Sequence, residues 1–244
     1  MEIQELTGLV KEYAEEKLGF DLFGIAAAAD PEFDRAPTGH NPTEYLPGAQ
    51  TVISVGLRVI PAVLKTTPSP IYQKHYITVN ESLNTGAYNL SRYIESLGYR
   101  CIYFPETDPF PFYLEQRAQR AKTLTPSFSH IAAATAAGIG KRGKVGVLLT
   151  PRFGPRQRFN SIITTAPLIP SPKFEGEVCL ARLGTGGDCE ECIVACRTLQ
   201  TGALKPWPEE GGVDMLTCSR HWLDNLWNKG LACGSCIKHC PMGA

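Results

Sequence analysis

Apolar residues near the start of the chain recur at helical spacing and then give way to short apolar runs. The helical pattern covers residues 3–18 and ends at Gly19, which predicts an amphipathic helix. Residues 20–26 and 51–57 are compact apolar runs, the second rich in β-branched side chains, and both predict buried strands. The stretch between them, 30–49, is rich in Pro, Gly and Asp and predicts an irregular connection.

The pattern continues with a helix between strands. A loop is predicted around three prolines, Pro61, Pro68 and Pro70. A helix is predicted over 81–97 with Gly98 as its cap, then a strand over 99–104 and a basic helix at about 112–122. Two later apolar runs predict further strands, 145–150 and 159–165.

An alanine-rich stretch, 129–137, predicts a slim helix that a flat ligand or another helix can approach closely. Three glycines follow it and free the backbone to turn and expose its N–H groups, and basic residues accompany them: Gly138, Gly140, Lys141, Arg142, Gly143 and Lys144. Phosphate binding by this glycine loop is one interpretation. Tight packing of the alanine helix on a sheet is the other.

The loose alternation of strands and helices favours an α/β (α+β) layered core. Three prolines mark a linker after the last predicted strand: Pro167, Pro170 and Pro172. The sequence therefore predicts two domains, a core over 1–174 and a small cysteine-rich domain over 175–244.

Composition adds two constraints. No apolar run reaches the roughly 18 residues that a membrane-spanning helix needs, so we expect no membrane partner. The start Met-Glu-Ile-Gln-Glu is acidic and does not resemble a secretory signal, so we expect a cytoplasmic protein.

The charges are unevenly placed although the formal net charge is zero. Residues 116–174 contain no Asp or Glu but carry ten basic residues: Arg117, Arg120, Lys122, Lys141, Arg142, Lys144, Arg152, Arg156, Arg158 and Lys173. One interpretation is an anionic neighbour, whether ligand, nucleic acid or partner protein. The alternative is a solvated face whose carboxylate partners come from elsewhere in the fold.

The strongest chemical signal is the spacing of the cysteines. Two runs repeat the pattern C-x2-C-x3-C, and each has a lone cysteine upstream: Cys179 before Cys189, Cys192 and Cys196, and Cys218 before Cys233, Cys236 and Cys240. Two-cluster ferredoxins use C-x2-C-x2-C-x3-C-P, in which the last cysteine binds the other cluster. By that pattern one [4Fe–4S] cluster takes Cys179, Cys189, Cys192 and Cys240, and the other takes Cys218, Cys233, Cys236 and Cys196.

Two other uses of these cysteines are weaker. A zinc ribbon needs only four of the ligands and does not account for the x3-C-P ending. Disulfides need an oxidising compartment, which the N-terminus does not indicate. The ninth cysteine, Cys101, lies in a predicted strand, and we expect it to pack as a small buried group.

Three motifs accompany the cysteines: 46–48, 137–140 and 149–158. The first, Leu-Pro-Gly before a strand, is similar to the pattern of epoxyqueuosine reductase. The other two, Ala-Gly-Ile-Gly and Leu-Thr-Pro-x-x-Gly-Pro-x-x-Arg, resemble the reductive dehalogenases. The chain thus resembles the cobalamin-dependent iron–sulfur reductases over nearly its whole length.

This resemblance implies a nitroreductase-like core that holds a corrinoid, followed by a ferredoxin-like module whose two [4Fe–4S] clusters pass electrons to cobalt. It places the corrinoid contacts in the alanine-glycine region and the turn after it: His130, Ala134, Gly138, Gly140, Arg142, Gly143, Lys144, Thr150, Gly154, Arg156 and Arg158.

The proton donor is where the chain departs from these reductases. Epoxyqueuosine reductase carries an acid before the glycine stretch, but here no carboxylate lies between Glu115 and Glu175. The dehalogenases use a tyrosine, and a structural role is the alternative for each candidate here: Tyr76, Tyr103 and Tyr113. Lys144 is a further catalytic candidate because of its charge.

Two functions are compatible with these features. The first is a cytoplasmic corrinoid- and iron–sulfur-dependent reductase of a small or nucleotide-like substrate, supplied by a low-potential donor such as ferredoxin or flavodoxin. Transfer RNA is possible but not favoured, since no helical-repeat extension follows Cys240 in the printed chain. The second is a two-cluster electron-transfer protein that docks on a partner and reduces it.

Overall fold

The computed structural model of the chain describes residues 1–34, 41–105, 126–183, 189–198, 201–205 and 212–243. The predicted basic helix at 112–122 and the candidate Tyr113 lie outside these residues. The N-terminal helix is α1, Ile3–Glu12, and it continues as a π-helical turn, Tyr13–Lys17. Gly19 follows with a positive φ of 71°, so the predicted helix and its end are confirmed.

Four strands form the main sheet: β1 (Leu22–Ala27), β2 (Thr51–Arg58), β3 (Cys101–Tyr103) and β6 (Gln157–Thr164). Their order is β1-β2-β6-β3, and every neighbouring pair is antiparallel. In the centre, β2 pairs with β6 so that Ile53 faces Ile162. The predicted mixture of helices and strands is confirmed, and the antiparallel sheet makes it an α+β fold.

The sheet lies between two helical layers, because alternate residues of a strand point to opposite faces. On one face, Ile53 and Ile162 pack with α1 and with the long helix α4, Pro70–Ser96. On the other face, Val52 and Ile163 pack against α5, His130–Ala136. This part also contains two short helices, α2 (Pro42–Tyr45) and α3 (Pro61–Leu64).

Helix α4 begins eleven residues earlier than predicted, at Pro70 rather than at 81. Ser69 caps it by accepting a hydrogen bond from the N–H of Tyr72 at 3.0 Å. Proline suits the first turn of a helix because its missing N–H would have no intrahelical partner there. The proline that we read as part of a loop therefore marks the start of the helix.

The strand predicted over 145–150 is also corrected. Only Leu148–Leu149 (β5) is extended, and it pairs with Lys141–Arg142 (β4). Gly146 adopts a positive φ of 78° and donates its N–H to the carbonyl of Gly143 at 3.0 Å, which closes a turn. That turn occupies the first half of the predicted strand.

The cysteine-rich part contains short elements: α6 (Glu191–Thr198), β7 (Leu204–Lys205), β8 (Gly212–Val213), α7 (Met215–Arg220) and α8 (Ser235–His239). Helix α7 runs on as a π-helical and a 3₁₀ turn to Lys229. Helices α6 and α8 pack together around Ile193, Cys192 and Cys236. Among the described helices, none combines the length and apolar character required to cross a membrane.

Candidate functional site

The structure brings four of the cysteines together as a first set: Cys179, Cys189, Cys192 and Cys240. Burial raises the pKa of the Cys192 thiol to about 11, and the nearby thiols of the other three members raise it further. Burial likewise raises the pKa of Cys240. Thiols crowded in a buried place resist ionisation unless a cation compensates the negative charge.

The remaining four form a second set: Cys196, Cys218, Cys233 and Cys236. Burial raises the pKa of Cys218 to about 11, and the thiols of Cys233 and Cys196 add to the shift. Cys218 as a whole is exposed, but its sulfur lies near the thiols of Cys233 and Cys196. Cys236 is half-buried. Burial raises the pKa of its thiol far above the ordinary value, and the thiols of Cys233 and Cys218 raise it further.

All four cysteines of the first set line one cavity between the core and the cysteine-rich part. It encloses about 520 Å³ of empty space, some of it open to solvent. Cys236 of the second set borders the same cavity, and most of its remaining wall is apolar: Val145, Val147, Leu149, Pro155, Leu180, Ile237, Pro241 and Met242. A cavity walled by four thiols and apolar groups fits the ligand chemistry of a four-iron cluster.

Within the described ranges, no three His, Cys, Asp or Glu side chains are arranged to hold a single metal ion. The fit to clusters rests on a different geometry. A four-iron cluster binds one thiolate at each of four irons, so its ligands surround a volume rather than converge on one ion.

Lys144 and Gly143 lie against the first set. The N–H of Lys144 donates to the sulfur of Cys179 at 3.4 Å. The ammonium group of Lys144 pairs with Glu190 at 3.5 Å, next to Cys189. A side chain at Gly143 would come within 2.6 Å of the Leu149 side chain, whereas Cys179 would lie at an ordinary contact distance of 3.4 Å. These two predicted corrinoid contacts therefore adjoin Cys179 of the first set.

The second set is held by polar residues that sequence reasoning missed. Thr201 lies 2.7 Å from the sulfur of Cys196, oxygen to sulfur. Thr67, only 4% exposed, accepts a hydrogen bond from the N–H of Gly234 at 2.8 Å and donates to the carbonyl of Ala232 at 2.9 Å. A lone threonine carries no sequence signal for such a role.

Tyr72 also adjoins the second set. Its ring lies so near Gly234 that a side chain there would approach the phenol oxygen within 2.8 Å. Burial raises the pKa of Tyr72 far above its ordinary value, and Arg158 opposes that rise. The beginning of α4 therefore packs directly on the loop between Cys233 and Cys236.

Several predicted corrinoid contacts are turned into the protein. Ala134 has no exposed surface and packs in the core between α5 and the sheet. The N–H of Gly138 donates to Thr135 at 3.1 Å and that of Gly143 to Val147 at 2.9 Å, so neither amide is available to a phosphate. A side chain at Gly138 or Gly140 would collide with a backbone carbonyl. The packing interpretation of this stretch accounts for these positions.

The turn after β5 is likewise occupied by internal contacts. The hydroxyl of Thr150, which is fully buried, donates to the side-chain oxygen of Gln157 at 3.1 Å. Gly154 has a positive φ of 55°, and a side chain there would collide with the carbonyl of Met242. Arg156 donates to backbone carbonyls of the segment that carries Cys240.

The tyrosine candidates have different surroundings. Tyr76 is half-buried, and the guanidinium of Arg158 lies 4.2 Å from its ring centroid. Trp222 meets the same ring edge-on, 4.9 Å between centroids. Tyr103 is 43% exposed on strand β3 and contacts Tyr88. Of the two candidates that the structure describes, Tyr76 is therefore the one that lies between the core and the cysteine-rich part.

His130 sits at the start of α5. One ring nitrogen lies 2.9 Å from the hydroxyl of Ser161 and the other 2.8 Å from the carbonyl of Pro105. Both nitrogens are thus occupied by protein groups. Cys101, outside the sites, packs at the edge of the core as predicted.

Several basic residues of the acid-free stretch pair with carboxylates from outside it. Arg142 pairs with Glu32, Lys173 with Asp30, and Lys144 with Glu190. For these three residues the structure agrees with the second interpretation, in which the carboxylate partners come from elsewhere in the fold.

Sequence comparison relates the chain to reductases of two kinds, and the predicted resemblance is confirmed. Tetrachloroethene reductive dehalogenase of Sulfurospirillum multivorans is 28% identical over 122 residues, which cover 46% of this chain and 23% of the dehalogenase. Epoxyqueuosine reductase of Listeria monocytogenes is 31% identical over 125 residues, which cover 48% of this chain and 30% of that enzyme. No protein-family model matches the sequence.

Solved structures share the fold. A reductive dehalogenase described as B12-dependent superposes with a TM-score of 0.71 at 16% identity, over 98% of this chain and 32% of the other. Epoxyqueuosine reductase bound to a transfer RNA stem loop gives a TM-score of 0.65 at 21% identity, over 98% of this chain and 65% of the other. At these identities the likeness establishes the fold alone, and the matched part is less than two thirds of each relative.

Proposed function

We propose that the chain is an iron–sulfur oxidoreductase in which two [4Fe–4S] clusters carry electrons toward a corrinoid and a small or nucleotide-like substrate. The observation that carries the proposal is the grouping of eight cysteines into two sets of four, one of them around an apolar cavity. The division into a core over 1–174 and a cluster domain over 175–244 is part of the same proposal.

The residues of the chain supply what such clusters require. The cysteines would bind as thiolates, which the irons would stabilise against the burial that now raises their pKa values. Apolar side chains line much of the cavity around the first set and would shield a bound cluster from water. The N–H of Lys144 points at the Cys179 sulfur, and such hydrogen bonds to sulfur raise the reduction potential of a cluster. Bound clusters would supply one-electron transfer.

Support for the corrinoid comes from the relatives, one of which is described as B12-dependent. A corrinoid would supply a strongly reducing cobalt centre when bound. Because Ala134 and the loop glycines are turned inward, the contacts in this chain are proposed on other residues that border the cysteine-rich part, chiefly Tyr76 and Arg158. Lys144 is proposed to act on the first cluster instead.

The cluster proposal is tested by the iron and acid-labile sulfide content of protein purified without oxygen. We expect about eight of each per chain, from two four-iron clusters. About four irons, or stoichiometric zinc, would contradict it. A Cys101→Ala variant is the matched control, since Cys101 belongs to neither set and should leave the iron content unchanged.

The second candidate function is an electron carrier that reduces a partner protein. The inward placement of Ala134 and of the glycine amides favours it, because these features no longer indicate an open cofactor surface. Cobalamin binding to the anaerobic protein separates the two functions. Binding in the micromolar range, about 8 kcal/mol, that weakens in Arg158→Gln but not in the exposed Arg152→Gln would support the reductase. Intact clusters without any corrinoid binding would favour the carrier.

For the reductase, the proposed substrate is a small or nucleotide-like molecule. One related structure contains a transfer RNA stem loop, but transfer RNA is not the substrate that we favour for this chain. A low-potential ferredoxin or flavodoxin is the proposed electron donor. Reduction of the clusters by each of these, measured by the loss of visible absorbance, tests that pairing.

A further inference from the structure

Arg156 joins the core to the segment that carries Cys240. It lies one residue before β6 and is only 6% exposed. Its guanidinium donates to the backbone carbonyl of Cys240 at 2.6 Å, to that of Lys238 at 3.4 Å and to that of Met242. Carbonyls on both sides of a cysteine are thus gathered on one planar cation, which can satisfy several acceptors in a fixed geometry.

These hydrogen bonds also hold the positive charge of Arg156 close to Cys240. Among the described residues, the ion pairs found involve other cations, so no carboxylate there neutralises Arg156. A buried cation that is not paired keeps more of its field than an exposed one.

We propose that Arg156 is a positioning residue for the first cysteine set, fixing Cys240 in place and raising the reduction potential of the cluster held there. The inference rests on the proposed function, because it concerns a cluster bound by this set. Reduction adds negative charge, and a nearby buried cation stabilises the reduced form. Lysine keeps the positive charge but lacks the planar fork of a guanidinium. Replacing Arg156 by lysine therefore separates the positioning effect from the charge effect.

The experiment compares Arg156→Gln and Arg156→Lys with wild type, using anaerobic full-length protein. Iron content and the midpoint potential of each cluster are measured by redox titration followed by electron paramagnetic resonance. Arg152→Gln is the matched control, since Arg152 lies in the same turn but is exposed and contacts Asp21 and the ring of Phe153.

We expect Arg156→Gln to shift the potential of one cluster to more negative values and leave the other unchanged. Arg156→Lys should restore most of that shift because it keeps the charge. Its ammonium lacks the planar fork with which the guanidinium reaches the three carbonyls, so the same cluster should lose iron to a chelator faster than in wild type. Arg152→Gln should match wild type in both measurements.

Unchanged potentials and chelation rates in both Arg156 variants would overturn the inference. An equal potential shift in Arg156→Lys and Arg156→Gln would overturn the charge effect. If Arg156→Gln does not fold, the positioning effect is tested by the rate at which Arg156→Lys loses iron to a chelator. A rate equal to that of wild type would overturn the positioning effect. Wild-type protein that lacks eight irons would instead overturn the proposed function, so the two failures are distinguishable.

Discussion

Thr67 accepts a hydrogen bond from the N–H of Gly234 at 2.8 Å, although the two residues lie in different parts of the chain. The threonine precedes α4, and the glycine separates Cys233 from Cys236. Because the contact is buried, the segment that precedes α4 fixes the backbone of the loop between Cys233 and Cys236. Thr67 does so through this hydrogen bond and is not itself one of the clustered thiols.

Replacing Thr67 by valine tests this contact. The substitution keeps the shape but leaves the N–H of Gly234 and the carbonyl of Ala232 without their partner. A buried unsatisfied group costs about 1–3 kcal/mol, so we expect the thermal midpoint of the anaerobic protein to fall by several degrees. Thr78→Val, at an exposed position of α4, is the control and should leave the midpoint unchanged. Equal midpoints for both variants would show that the contact is dispensable.

A second prediction concerns Gly154, where the core meets the segment around Met242. Alanine at this position would add the strain of a positive φ and a collision with the Met242 carbonyl. Gly19→Ala isolates the strain, since Gly19 has a positive φ of 71° and open space around it, and should cost about 1–2 kcal/mol. We expect Gly154→Ala to be more destabilised and to lose iron from one cluster. A midpoint no lower than that of Gly19→Ala would contradict the close approach.

A third prediction concerns the crossing of the two cysteine runs. Cys196 belongs to the first run in sequence but lies with Cys218 and Cys236 in space. Cys196→Ser should therefore change the same cluster signals as Cys218→Ser, measured by electron paramagnetic resonance of the reduced protein. Cys192→Ser should change the other signals. A spectrum of Cys196→Ser that follows Cys192→Ser would refute the crossed assignment.

A fourth prediction concerns the reactivity of Cys101. Burial raises its pKa from 9.0 to about 11, with a smaller contribution from Glu95 and an opposing hydrogen bond to Thr164. A thiol with a raised pKa stays protonated and stabilises the fold below its ordinary pKa, and this contribution is lost as the pH rises toward 11. At pH 8 we expect Cys101 to be alkylated roughly 100-fold more slowly in the folded protein than in the unfolded chain. Peptide mapping by mass spectrometry measures both rates, and equal rates would show that the thiol is accessible.

Regular periodicity identified most of the core elements from the sequence. The helix that ends at Gly19 and the strand at 51–57 are both present, because apolar spacing dictates which face is buried. The first part of α4 was missed because a proline can begin a helix as well as interrupt one. The Ser69–Pro70 pair was the signal that could have placed that start correctly.

The candidate site, like the core, was predictable from the sequence only in part. Cysteine spacing predicted which thiols lie together, because cluster ligands follow a fixed pattern along the chain. The roles of Arg156, Thr67 and Tyr72 could not be read from the sequence, since each depends on contacts with residues far away in the chain. The alanine-glycine stretch suggested an open ligand surface, but small residues serve close packing of the backbone equally well.

The position of β6 in the middle of the sheet has a consequence for synthesis. Strand β2 pairs with β1 on one side and with β6 on the other, and β6 is made much later than both. A nascent chain that has emerged only through α4 therefore presents the unpaired edge of β2, rich in β-branched residues, to other chains. Such edges promote aggregation, and pairing between distant segments is slow. Recombinant yield should accordingly respond to slower translation and lower temperature, even where iron is plentiful.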